Sequence, residues 1–157
     1  MSKSEVREPM QKRSMEKKQR MIQASYDLFC RQGYYKTNTV EIAQQAGVST
    51  GIVYSYFRDK KDILIEVVRL YISSLSSQLQ PLLSQPIDQN HLPVFIGQFF
   101  DVFLSSHTMS IEAHNEFMAL SLLEGDLLPL FNDFEHALLQ KLFALLVAAG
   151  IRETTLL

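Results

Sequence analysis

Apolar positions along this chain recur three and four residues apart, the period of an α-helix packed on one side, and nowhere alternate as a half-buried strand would. Met21, Ile22, Ala24, Ser25, Leu28 and Phe29 mark the inner face of a helix predicted from about Met15 to Gln32, with Gly33 as its left-handed cap. Thr39 is the expected N-cap of a short helix, Val40 to Ala46, whose Ile42 and Ala43 face inward. Gly47 supplies a turn, Val48 plugs the core, and Ser49 caps a second short helix, Thr50 to Phe57, burying Val53 and Phe57. Asp59 to Asp62 resembles a capping box and opens a long helix whose stripe runs from Ile63 and Leu64 to Leu79, stopped by Pro81 near Gln80.

After a connector, residues 81–93, three more helices follow. Val94 to about Ser106 is apolar nearly all round, which predicts burial. Ser110 caps a helix to about Glu124, closed by Gly125. Pro129 fits the first turn of the last helix, which runs to Ala149 before Gly150. The predicted fold class is all-α, in one to two small units, and 157 residues suffice to bury a real core.

Charge changes this picture by dividing the chain. Up to Lys61 there are 12 Lys and Arg against 6 Asp and Glu, a net of +6. From Asp62 onward there are 3 against 11, a net of −8. A basic first part joined to an acidic remainder implies that only the first part meets a polyanion. Residues 1–14 are expected to form a flexible basic arm, either a solvated charge run or a groove-contacting tail. A single cysteine, Cys30, excludes an intrachain disulfide. The polar N-terminus and the lack of a long apolar run predict a cytoplasmic chain that does not span a membrane.

Residues 39–60 carry the chemistry. A short helix, a glycine turn and a second short helix with small and polar residues at its start are what a helix-turn-helix needs to meet base edges. Ser49, Thr50, Gly51, Ile52 and Ser55 are the positions that would specify sequence: hydroxyls bond either way, glycine permits close backbone approach, and Ile52 can touch a thymine methyl. Tyr54 and Tyr56 can reach phosphates with their hydroxyls, while Thr39 and Lys60 sit at helix starts, where the dipole favours an anion.

The elements Ile22-x-Ala24-x-x-x-Leu28-Phe29, Gly33-Tyr34, Thr37-x-Thr39, Ile42-Ala43, Ala46-Gly47-Val48-Ser49, Gly51-x-x-Tyr54-x-Tyr56-Phe57 and Lys60-x-x-Ile63-Leu64 resemble the DNA-binding domain of the TetR family of bacterial one-component regulators. The resemblance covers about Ser14 to Ile72, with Ile52 departing from the threonine frequent there. It implies a helix-turn-helix domain at residues 15–61 and a helical effector-binding and dimerisation domain at 62–157, joined by a helix from about 60 to 80. It also implies a homodimer on a palindromic double-stranded operator, repression, and release by a small-molecule effector. Thr39, Tyr54, Tyr56 and Lys60 carry over as phosphate contacts. The family pattern continues for two further helices, so the second domain reads as C-terminally short.

In the second half, Tyr71, Phe99, Phe103, Met109, His114, Phe117 and Met118 are candidates to line a pocket for an apolar effector, though each also suits plain packing. The four histidines (His91, His107, His114, His136) show no metal-binding spacing, so no metal site is expected. Glu112 and Glu116, one turn apart, read as a solvated face, and Cys30 as a buried thiol rather than a redox sensor. No nucleophile stands beside an evident base and no glycine-rich phosphate loop occurs, so neither an enzyme nor a resident cofactor is expected. The alternative reading is a helical ligand- or partner-binding module whose DNA head is vestigial or impaired in dimerisation.

Overall fold

The computed structural model describes residues 7–88, 90–106 and 111–150. Seven helices are found among them and no strand: α1 (Arg7–Gln32), α2 (Thr39–Ala46), α3 (Thr50–Tyr56), α4 (Lys60–Leu83), α5 (Leu92–Ser106), α6 (Ile111–Leu123) and α7 (Leu128–Ala148). They form two compact units. Of the described residues, one holds those up to Val68 with the stretch of α6 to Leu120, and the other holds those from Arg69 through α5 together with those from Ser121 to Gly150. None of these helices is long and apolar enough to cross a membrane.

The first unit is built as its periodicity predicts. Met21, Ile22, Leu28 and Phe29 of α1 are buried with Ile42, Ala43 and Ala46 of α2, Val53 of α3, Phe57, and Ile63, Leu64, Val67 and Val68 of α4. Phe117 and Leu120 of α6 are also buried in it. A fully buried side chain of this size contributes about 1.5–3 kcal/mol, so this shared core holds the two shortest helices, too short to persist alone. Val48 is half-buried beside it. The buried Ser25 hydroxyl donates to the Met21 carbonyl oxygen at 2.7 Å, so its burial leaves no bond unmade.

Several boundaries differ from expectation. α1 begins at Arg7, eight residues before the predicted start at Met15, so the second half of the expected arm is helix. Pro9 is tolerated in a first turn, and most residues that follow are good helix formers. Tertiary contacts then anchor the extension. Ser14 and Tyr56 share a 2.8 Å hydroxyl bond, and Lys18 pairs with Glu66 at 2.8 Å while its ammonium lies 5.9 Å from the Phe57 ring centre. α4 passes through Pro81 to Leu83 instead of stopping at Gln80. In the last turn a proline removes only one helical bond, and the burial of Leu79 and Leu82 on either side carries the helix past it.

In the second unit Leu75, Leu79, Leu82, Phe95, Ser121 and Leu127 are buried. The expectation of a buried fifth helix is corrected here. α5 buries Phe95 but exposes Val94, Ile96, Phe100, Phe103 and Leu104, because one 15-residue helix offers apolar groups in more directions than its neighbours cover. α7 has no buried residue and exposes Leu139, Phe143 and Val147 at spacings of four. A groove of about 60 Å³ between α4 and α7 is lined by Leu79, Leu83, Phe134 and Leu138 among others. That volume holds about two water molecules.

Candidate nucleic-acid interface

α2 is started by Asn38, not by Thr39 as expected. The Asn38 side-chain oxygen accepts from the Val40 and Glu41 amides, both at 3.0 Å, and the Glu41 carboxylate accepts from the Asn38 amide at 3.0 Å. This closed capping box satisfies otherwise orphaned donors. Thr39 is thereby released from capping, and its hydroxyl meets the Tyr54 hydroxyl at 3.0 Å on the surface. The C-terminus of α2 closes on Gly47, at φ 68° and ψ 40°. Its amide donates to the Gln44 carbonyl at 3.2 Å, and that of Val48 to the Ala43 carbonyl at 3.0 Å. This closure directs the chain into α3.

Ser49 takes the extended backbone of an N-cap, but its hydroxyl makes no capping bond and the residue is exposed. Gly51 is exposed, and a Cβ placed there would meet no protein atom within 4 Å. Thr50 and Ile52 are half-buried, and Ser55 is exposed with its hydroxyl on the Ile52 carbonyl at 2.7 Å. The start of α3 therefore presents polar and small groups that the fold itself does not use.

The four residues expected to touch phosphates fall into two pairs. Thr39 and Tyr54 are joined at the surface. Tyr56 and Lys60 are half-buried and already bonded within the protein. The Tyr56 hydroxyl holds Ser14. The Lys60 ammonium donates to the Tyr34 and Thr37 carbonyls at 2.9 and 3.0 Å and lies 4.2 Å from the Tyr34 ring centre. Burial pushes the Lys60 pKa down, and the charge of Glu116 opposes that shift. Lys60 therefore braces the connector between α1 and α2.

Asp59 and Asp62 open α4 much as the capping-box reading expects. Asp59 accepts from the Asp62 amide at 2.8 Å. The Asp62 carboxylate reaches back to Arg58, accepting from its amide at 3.0 Å and from its guanidinium at 2.8 Å through both oxygens. These bonds hold Asp62 well below the usual carboxylate range, at about 2.

The expected effector-lining residues are not gathered in one unit. Tyr71, Phe99 and Phe103 belong to the second, while Phe117, buried, and Met118, exposed, belong to the first. None of these five lines the groove between α4 and α7. Met109, His107 and the side chains of Glu112 and His114 lie outside the described residues, as do the tail after Gly150 and the arm before Arg7. Cys30 is buried, and burial pushes its thiol up, which keeps it protonated and unreactive. Among the described residues, no three His, Cys, Asp or Glu are gathered for a metal ion.

Contacts absent from the sequence reading are Ser14 on Tyr56, Lys18 on Glu66, and Glu116 on the α1–α2 connector. They join positions 42, 48 and 81 residues apart, for which local spacing gives no signal.

Residues 21–67 match the model of the family described as bacterial regulatory proteins, tetR family. Residues 21–67 are thus a TetR-family N-terminal domain. The chain is also similar to curated transcriptional regulators. The transcriptional regulator HbdR of Aromatoleum sp. (strain CIB) is 38% identical over 78 residues, 47% of this chain and 34% of that protein. The fatty acid metabolism regulator protein of Bacillus subtilis (strain 168) is 26% identical over 101 residues, 64% of this chain and 52% of that protein. The transcriptional regulator BetI of Cronobacter sakazakii (strain ATCC BAA-894) is 26% identical over 141 residues, 87% of this chain and 67% of that protein. The chain thus spans about a third to a half of the first two relatives and two thirds of the third. No solved structure matches it.

Proposed function

We propose that this chain is a sequence-specific DNA-binding transcriptional regulator that reads the major groove with α3. One observation carries the reading: the start of α3 exposes an uncapped Ser49 and a glycine, Gly51, for which the protein has no steric need. Glycine inside a helix costs about 0.5–1 kcal/mol relative to alanine, and open space around Gly51 leaves a close approach from outside as the reason to keep it. Thr39 and Tyr54 flank it as a joined pair of phosphate-binding hydroxyls, with Tyr56 and Lys60 behind them.

The finer reading is a homodimeric repressor on a palindromic operator, released by a small-molecule effector in the second unit. Two chains bring two copies of α3 to successive major grooves. Release requires an effector with different affinities for two conformations of the dimer. The Phe- and Leu-rich second half favours an apolar effector, and one relative's name, a fatty acid metabolism regulator, is in keeping with that choice.

Selection of duplexes from a random pool by the purified chain tests the reading. A single enriched, symmetric sequence is expected, and no enrichment over the starting pool overturns it. Thr50→Ala should then change the selected sequence at one position per half-site, with about 1–3 kcal/mol less discrimination there. Gly51→Ala should weaken binding while raising stability by about 0.5–1 kcal/mol.

A further inference from the structure

The connector from Gly33 to Asn38 is held from two sides by groups distant in sequence. On one side the Lys60 ammonium donates to the carbonyls of Tyr34 and Thr37. On the other, Glu116 of α6 accepts the Tyr35 amide on Oε2 at 3.3 Å. A cation thus satisfies two of the connector's acceptors and an anion one of its donors. The approach of Glu116 is close: a Cβ on Gly33 would run into its carboxylate, and Gly33 also has φ 87°, a conformation costly for any other residue. Inside the connector, the buried Thr37 hydroxyl donates to the Gly33 carbonyl at 2.8 Å. The next residue, Asn38, caps α2, and the one after it is Thr39.

We infer that Glu116 is a positioning residue for the nucleic-acid interface: its carboxylate fixes the α1–α2 connector and so sets where the start of α2 presents Thr39. The inference rests on the DNA-binding reading of α2 and α3. Within the first unit, the Glu116–Tyr35 bond ties α6 directly to this connector. Its charge also favours the ammonium form of Lys60 against burial, so both clamps act in the same sense.

Two variants separate position from charge. Glu116→Gln and Glu116→Ala lose the same charge, so any general change in attraction to DNA is common to both, but only Gln keeps an acceptor for the Tyr35 amide. Hydrogen exchange of the Tyr35 amide in the free protein is expected to be about five-fold faster or more in Glu116→Ala, with Gln retaining most of the protection. On duplexes selected by the wild-type chain, Glu116→Ala should bind about five-fold more weakly than Glu116→Gln. Unchanged Tyr35 exchange in Glu116→Ala overturns the inference, and so does equal DNA affinity of the two variants. If the wild type selects no sequence, the DNA-binding reading fails instead, while the exchange data still report whether Glu116 holds the connector. A second comparison guards against a general loss of folding. Gly33→Ala should weaken DNA binding more in the wild type than in Glu116→Ala, where no carboxylate stands in its way, and equal effects in both backgrounds overturn the inference.

Discussion

Asp62 illustrates how one half-buried carboxylate can be committed by its own turn. Its two oxygens take the guanidinium and the amide of Arg58, four residues back, and these bonds depress its pKa to about 2. A group whose folded pKa lies below its unfolded value contributes stability that is complete above the unfolded pKa and is lost as pH falls through the folded one. The window is therefore roughly pH 4 down to pH 2. Carbon-detected NMR should find the Asp62 midpoint near 2, with the first turn of α4 loosening over that range. Asp62→Asn should make the turn insensitive to pH across the same interval. A midpoint near 4 would mean that the Arg58 bonds do not persist in solution.

Among elements, the start of α2 separates what the sequence discloses from what it conceals. A helix beginning near Thr39 was legible, since Ile42, Ala43 and Ala46 recur at helical spacing and Gly47 follows them. The cap was not, because Asn38 and Thr39 are adjacent and both are good N-caps; the Glu41 carboxylate, three residues after Asn38, decides for Asn38 by closing the box. Asn38→Ala should therefore cost about 1 kcal/mol in denaturant unfolding. Thr39→Ala should leave stability almost unchanged and act on DNA binding alone. Gly47→Ala isolates backbone strain, since a Cβ there meets nothing closer than an Arg20 nitrogen at 3.9 Å, while φ 68° costs a non-glycine residue about 1–2 kcal/mol. The same limits apply at α5, at Pro81 and at the long-range contacts. Periodicity records that α5 is apolar on several faces but not how many of those faces find a neighbour. Pro81 marks a place where a helix can stop, and only the burial of Leu82 shows that it continues. The contacts made by Ser14, Lys18 and Glu116 depend on where whole helices lie, which no local pattern encodes.

At the scale of the molecule, the charge division and the proposed pairing of two chains can be read in one experiment. DNA binding by a basic surface releases condensed counterions, and each neutralised phosphate contributes about 0.9 to the slope of log affinity against log salt. The net of +6 up to Lys61 predicts a steep slope, to which the net of −8 beyond it adds no contact. The two kinds of phosphate contact proposed for the interface should behave differently. Tyr54→Phe removes an exposed hydroxyl but no charge, so it should lower affinity at every salt concentration and leave the slope unchanged. Lys60→Ala removes a cation, and the loss should appear in the slope. One chain on DNA gives a slope shallower by about 0.9, whereas two chains on a palindrome lose two such contacts and give about 1.8. The change thus counts the chains bound. An unchanged slope would assign Lys60 wholly to its bonds with the Tyr34 and Thr37 carbonyls, and the affinity lost in Lys60→Ala would then be that of a slackened connector.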